Sequence, residues 1–217
     1  MAARKKNSST SGDDGLPQVS VSDDGVARYL HLGTPWVQGS MKLKMRTAAI
    51  EINPLVVNIC RSWFKLPPDN DMLEVVLGDA SLEILQPRWQ GAVDALQVDL
   101  YDHNAAAPVL DSVEFYADCR AMLTPEGSMT VNLFGRASSY QRSLDKITEA
   151  FGAGHVWAFR PTREGNTIVL AQRVATPLAR EELQVRAEAV QARWGLPATK
   201  WLKVFKRIEP AADLSAD

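Results

Sequence analysis

At 217 residues, with 46% hydrophobic and 23% charged side chains, the chain has the composition of an ordinary globular protein that can bury a sizeable core. Its 24 Lys and Arg against 26 Asp and Glu leave a formal charge of -2, so no global field favours nucleic acid or an anionic membrane as a partner. Cys60 and Cys119 are too few for a metal cluster or a secreted disulfide framework and read as thiols filling apolar positions in a reducing cytoplasm. No apolar run approaches the roughly 18 residues of a membrane span, and MAARKKNSSTSGDDG lacks the apolar core of an export signal.

In chain order, residues 1–24 hold almost nothing to bury and are expected to form a disordered tail. VARYLHLGTPWVQGSMKLKM, Val26 to Met45, has strand-like spacing around a Gly-Thr-Pro turn and predicts a β-hairpin over 25–46. TAAIE, ending at Glu51, is a strand. Pro54 opens a helix through VVNICRSWF, and MLEVVL is the next strand. A short helix over Ser81 to Leu85, a buried strand over Asp94 to Leu100 and a helix over Ser112 to Leu123 follow. The turn Thr124-Pro125-Glu126-Gly127 then leads into a strand over Ser128 to Phe134. Ser138 or Ser139 caps a helix to Phe151, Val156 to Phe159 and Thr167 to Ala171 are closing strands, and Pro177 to Trp194 is a charged helix. The alternation predicts an α/β, doubly wound and mostly parallel sheet over 47–195 whose last two strands are antiparallel, with 196–217 as a C-terminal tail.

Three apolar runs end in acids: Glu51, Asp79 in LEVVLGD, and Asp99 with Asp102 in ALQVDLYD. In open parallel sheets the ligand sits at the carboxyl ends of the strands, where acids accept hydrogen bonds from sugar hydroxyls, a base amine or a cationic substrate. Each acid has a plainer competing reading. Glu51 can be a solvated strand-end acid favoured by a helix dipole, Asp79 a helix N-cap beside the turning Gly78, and Asp99 and Asp102 turn acids. Asp99 is the sharpest of them, because a charge near the end of a buried parallel strand is costly unless it is hydrogen-bonded or holds a ligand. Two carboxylates so placed can hold a cationic amine, one of them taking its proton. Tyr101, between them, walls the site or packs.

The series AIEINPLVVNICRSWFKLPPDNDMLEVVLGDA, VDALQVDLYD and EFYADCRAMLTPEGSMTVNLF resembles the spermidine synthase family of polyamine aminopropyltransferases, which share the fold of class I S-adenosylmethionine-dependent methyltransferases. RYLHLGTPWVQGSM is similar to the N-terminal hairpin of bacterial members, so the likeness runs from about Arg28 to Arg173. It implies a Rossmann-like domain that moves an aminopropyl group from decarboxylated S-adenosylmethionine to a polyamine such as putrescine, without metal. On this resemblance Glu51 binds the ribose, and Asp79 with Ala80 meets the adenine. Ile52 and Gly78 join them in binding the nucleoside. Asp99 is the catalytic acid, and Asp102 with Tyr101 contacts the amine.

Two departures qualify that picture. Leu100 and Tyr101 stand between the acids where the family keeps Ser or a similar small residue, which bears on the preference for putrescine. Met41 is separated from Glu51 only by KLKMRTAAI, where the family carries its first core strand, a glycine-rich loop and a helix. Three remedies are open: Val37 to Met45 fill the vacancy, a second chain donates a strand and a homodimer forms, or the chain is a deleted version of a longer gene. An S-adenosylmethionine-dependent methyltransferase and a non-catalytic binding or oligomerising remnant are the alternative functions.

His31, His103 and His155 lack ligand spacing, so no metal is expected. The interleaved basic and aromatic run from Lys200 to Arg207 reads as a tail packed on or beside the domain.

Overall fold

The computed structural model describes residues 8–10, 19–23, 28–32, 37–38, 46–100, 110–134, 137–162, 165–175 and 178–208. The chain divides into two compact units, Met1–Glu83 and Ile84–Asp217.

The first unit opens with an antiparallel sheet in the order β1 (Ser8–Thr10), β2 (Val19–Asp23), β3 (Arg28–Leu32), β4 (Val37–Gln38). Two of its strands lie within the residues expected to be a disordered tail. The third and fourth pair across the expected hairpin, with His31 opposite Val37. Val37 and Gln38 are thereby committed to β3 and do not fill the vacancy before Glu51, while 39–45 lie outside the described residues.

A separate two-stranded parallel sheet follows, β5 (Thr47–Glu51) beside β6 (Leu73–Leu77), with Glu51 opposite Leu77. Helix α1 (Pro54–Trp63) makes the crossover. Pro54 occupies its first turn, where a missing N–H costs nothing, and Asn53 caps it by accepting the Leu55 N–H at 3.0 Å. The following helix α2 (Ala80–Glu83) is a single turn, shorter than the span predicted to Leu85.

The second unit is built on a five-stranded sheet in the order β11 (Phe205–Arg207), β9 (Val156–Phe159), β10 (Asn166–Gln172), β8 (Leu123–Phe134), β7 (Val93–Val98). The β7 and β8 strands are parallel, and β10 runs antiparallel between β8 and β9, as expected of the closing strands. Segment 196–208, read as part of a tail, instead forms the one-turn α6 (Ala198–Trp201) and the edge strand β11 against β9. Phe205 stacks on Trp157, with ring centroids 6.5 Å apart, the next residue Lys206 is exposed, and Arg207, on the Phe205 face, donates its Nε–H to the Gly154 carbonyl at 3.2 Å.

The core lies where α3 (Val113–Met122) and α4 (Ala137–Phe151) cover this sheet. Tyr116, Cys119, Leu123, Met129, Ile147, Val156 and Val169 are fully buried. Cys119 fills an apolar position as predicted, and burial pushes its thiol up to about 12. Helix α5 (Arg180–Trp194) ends at Gly195, whose φ of 71° is the left-handed cap that glycine adopts without strain.

The predicted turn at 124–127 lies inside the long β8 strand, and Gly127 is required there by space. A Cβ on it would stand 2.7 Å from the Val93 carbonyl oxygen and 3.0 Å from the Thr124 nitrogen, both backbone atoms. Gly127→Ala should therefore destabilise the protein by about 1–3 kcal/mol, read as a lowered urea midpoint at unchanged slope.

Candidate active site

In the first unit the acid-bearing segments meet at the carboxyl ends of β5 and β6. The Gly78 N–H donates to the Glu51 carbonyl at 3.1 Å, joining the two strand ends. Gly78 was expected to let the chain turn, and a bend lies there; its φ is outside the left-handed region, and a Cβ there would meet the flexible Glu83 side chain, Cγ at 3.1 Å. The Glu51 carboxylate is half-buried and accepts the Asn53 N–H at 2.7 Å. Burial raises its affinity for a proton, and the N–H groups of Asn53 and Ile52 oppose that rise only in part.

Asp79 stands two residues beyond β6 with its side chain exposed. Its Oδ1 accepts both the N–H and the hydroxyl of Ser81 at 2.8 Å, and its carbonyl accepts from Leu82 and Glu83 at the start of α2. Capping and ligand binding are compatible here, since Oδ2 has no partner among the described residues. Ala80 is the first residue of α2. Ile52, 58% exposed, Leu77 at 56% and Leu82 at 63% leave apolar surface along the same strand ends.

In the second unit Asp99 directly follows β7, is exposed, and accepts a hydrogen bond from Asn132 Nδ2 at 3.1 Å. Asn132 lies on the neighbouring β8. Tyr101, Asp102 and His103 lie outside the described residues.

Two residues were not singled out from the sequence. Asn53 is 3% exposed, and its Nδ2 is buried without a partner while its oxygen caps α1. Asn132 was the readable one: a polar side chain inside the apolar strand SMTVNLF calls for a partner. Among the described residues no group of three His, Cys, Asp or Glu could hold a metal ion, and no helix is long and apolar enough to cross a membrane. A cavity of about 170 Å³ in the second unit, lined by Trp157, Leu183, Phe205 and Arg207 among others, contains none of the strand-end acids. It falls below the roughly 300–1,000 Å³ of ordinary ligand sites.

The half-buried Glu51 carboxylate makes stability depend on pH. Its folded pKa is raised above the unfolded value, so the unfolded chain gives up this proton first. Stability from this group is then full below the unfolded pKa, near 4.5, and is lost as pH rises through the raised folded value. Glu51→Gln keeps the acceptor for Asn53 and removes the charge. The variant should gain stability relative to the parent between pH 4 and pH 7, by about 1 kcal/mol or less given its partial exposure, in parallel thermal melts at the two pH values.

No protein-family model matches the chain. A polyamine aminopropyltransferase from Chromobacterium violaceum is 24% identical over 241 aligned positions, covering 89% of this chain and 91% of that protein. The alignment has more positions than this chain has residues, so the relative carries segments with no counterpart here. A probable spermidine synthase from Corynebacterium glutamicum superposes with a TM-score of 0.66 at 13% identity, covering 97% of this chain and 98% of that one. A spermidine synthase in complex with the transition-state analogue AdoDATO gives 0.59 at 12% identity, covering 81% of this chain and 77% of that one. These superpositions establish the α/β fold.

Proposed function

From its relationship to the polyamine aminopropyltransferases, we propose that this chain transfers an aminopropyl group from decarboxylated S-adenosylmethionine to a small polyamine such as putrescine. The observation that carries this reading is the placement of three acids. Glu51 ends β5, Asp79 lies just past β6 and Asp99 just past β7, each at the carboxyl end of a strand in a parallel pair.

In the reaction a neutral amine nitrogen attacks the aminopropyl carbon bonded to the sulfonium. The C–N bond forms as the C–S bond breaks, the sulfur leaves as the neutral thioether of methylthioadenosine, and the positive charge passes to nitrogen. The new ammonium then loses a proton. Glu51 accepts the ribose hydroxyls, with Ile52 as apolar surface beside them, while Asp79 accepts from the adenine amine near Gly78 and Ala80. Asp99 orients the amine and takes its proton, and Asp102 and Tyr101 complete the amine contact.

The test is methylthioadenosine release from the purified chain given both substrates, with S-adenosylmethionine in a parallel arm to expose a methyltransferase. No release from a folded sample overturns the proposal.

A binding-only reading is favoured by one observation: among the described strands, β5 pairs only with β6 and β7 only with β8. The glycine-rich loop that normally lets backbone approach the nucleoside belongs to the missing region, so its loss should weaken substrate binding. Calorimetry with decarboxylated S-adenosylmethionine separates the readings. Binding without turnover supports the remnant, and binding with turnover supports the enzyme.

A further inference from the structure

The small cavity of the second unit combines apolar walls with two cations. Trp157 of β9, Phe205 of β11, Leu183 of α5 and Leu202 after α6 line it together with Arg180 and Arg207, both of which are exposed. Its described lining holds no carboxylate. The Arg207 Nε–H is spent on the Gly154 carbonyl at 3.2 Å, and the guanidinium carbon lies 6.0 Å from the centre of the Trp157 ring. Among the described residues neither arginine forms an ion pair. Two like charges beside one opening, with no counter-charge between them, favour an incoming anion. The volume limits what can follow that anion inside. An engineered apolar cavity of about 150 Å³ takes one benzene molecule, so a space of about 170 Å³ suits a single apolar side chain.

We infer that this cavity is the docking site of the chain's own segment 209–217, EPAADLSAD, with Leu214 filling the apolar space and the carboxylates of Asp213 and Asp217 meeting the two arginines. Charge selects the segment first: it carries Glu209, Asp213 and Asp217 and no Lys or Arg, opposite in sign to the cavity. Size selects it next. Leu214 is its one large apolar side chain, and acids stand on both sides of it. Position is the third reason, because the segment follows Ile208, the neighbour of the lining residue Arg207. Glu209-Pro210-Ala211-Ala212 puts proline at the second place of a β-turn, which can send the chain back along β11. The six residues from Ile208 to Leu214 span up to about 20 Å when extended, enough for that return. Tethering also supplies an effective concentration in the millimolar range, so a contact too small to hold a free partner holds this one.

The contact stands apart from the aminopropyltransferase reading, and its test uses no substrate. In the methyl-labelled full chain, ring currents of Trp157 and Phe205 should move the Leu214 methyl resonances upfield, with nuclear Overhauser contacts to one or both rings. Arg180→Glu should return those resonances toward the position of a free leucine and remove the contacts. The change is confined to an exposed side chain at the first position of α5, where an acid suits the helix, so the circular dichroism spectrum should stay as it was. Asp213→Asn with Asp217→Asn should act in the same direction without touching the folded domain, and so should high salt, which screens these exposed charges. The upfield shift should not vary with protein concentration, since cavity and occupant belong to one molecule. Unshifted Leu214 methyls in the parent, a shift indifferent to both Arg180→Glu and the paired asparagine changes, or a shift that grows with concentration would overturn the inference.

Discussion

Exchanging Asp99 for asparagine is expected to cut methylthioadenosine release by about 10²–10⁴-fold, the usual worth of a positioned proton acceptor. The change is close to isosteric and leaves the surroundings intact. An asparagine oxygen still accepts from Asn132 Nδ2, the bond that holds Asp99 at 3.1 Å in the parent. What disappears is the negative charge that draws a cationic amine and the basicity that takes its proton. Asp99 is exposed, so the fold should shift by no more than about 0.5 kcal/mol. Asn132→Ala is the companion experiment. Asn132 touches Asp99 and acts through it, so its loss should raise KM and lower kcat moderately while the pH profile of the reaction keeps its shape. An Asp99→Asn variant that retained activity would remove Asp99 from the chemistry and leave the polyamine contact to other residues.

Secondary structure was legible in this sequence because its signals are local. Pro54 announces the start of α1, Ser112 caps α3 by accepting the Phe115 N–H at 3.1 Å, and the β-branched runs that become β6 and β10 need no distant information. The strand-end positions of Glu51, Asp79 and Asp99 were legible for the same reason. Requirements set by distant packing were not. Nothing in Thr-Pro-Glu-Gly tells that Gly127 must fit under the Val93 carbonyl, and nothing in a basic, aromatic C-terminal run tells that it will find the edge of β9. The short join before Glu51 was visible as a sequence fact, and its structural counterpart is a sheet divided into β5-β6 and a separate five-stranded part.

The largest expected loss of stability comes from a network with no local signature. Asp111 precedes α3, and its Oδ1 accepts the Tyr116 hydroxyl at 2.9 Å. Its Oδ2 accepts the Ser143 hydroxyl at 3.1 Å and the Lys146 ammonium at 2.7 Å, both from α4, and the ammonium also reaches the Asp111 carbonyl at 2.9 Å. One carboxylate thus ties α3 to α4, whose contributing residues lie 32 and 35 positions beyond Asp111. Asp111→Ala removes the acceptor that holds the hydroxyl of fully buried Tyr116, while the Ser143 hydroxyl keeps the Ser139 carbonyl at 3.3 Å; a lost hydrogen bond to a charged group in a buried setting costs on the order of 1–3 kcal/mol. The ion pair adds less, because Lys146 is 35% exposed and water compensates the lost partner. A net loss of about 2–4 kcal/mol in urea unfolding is expected, with the far-ultraviolet spectrum of the folded state preserved. Tyr116→Phe removes the hydroxyl that the aspartate would otherwise abandon, so the double variant Asp111→Ala, Tyr116→Phe should cost about 1 kcal/mol less than the two single changes added together. Strict additivity would mean that water reaches the hydroxyl and that the network contributes little. A coupling of the expected sign would show that α3 and α4 are held by this aspartate as well as by the apolar face they share.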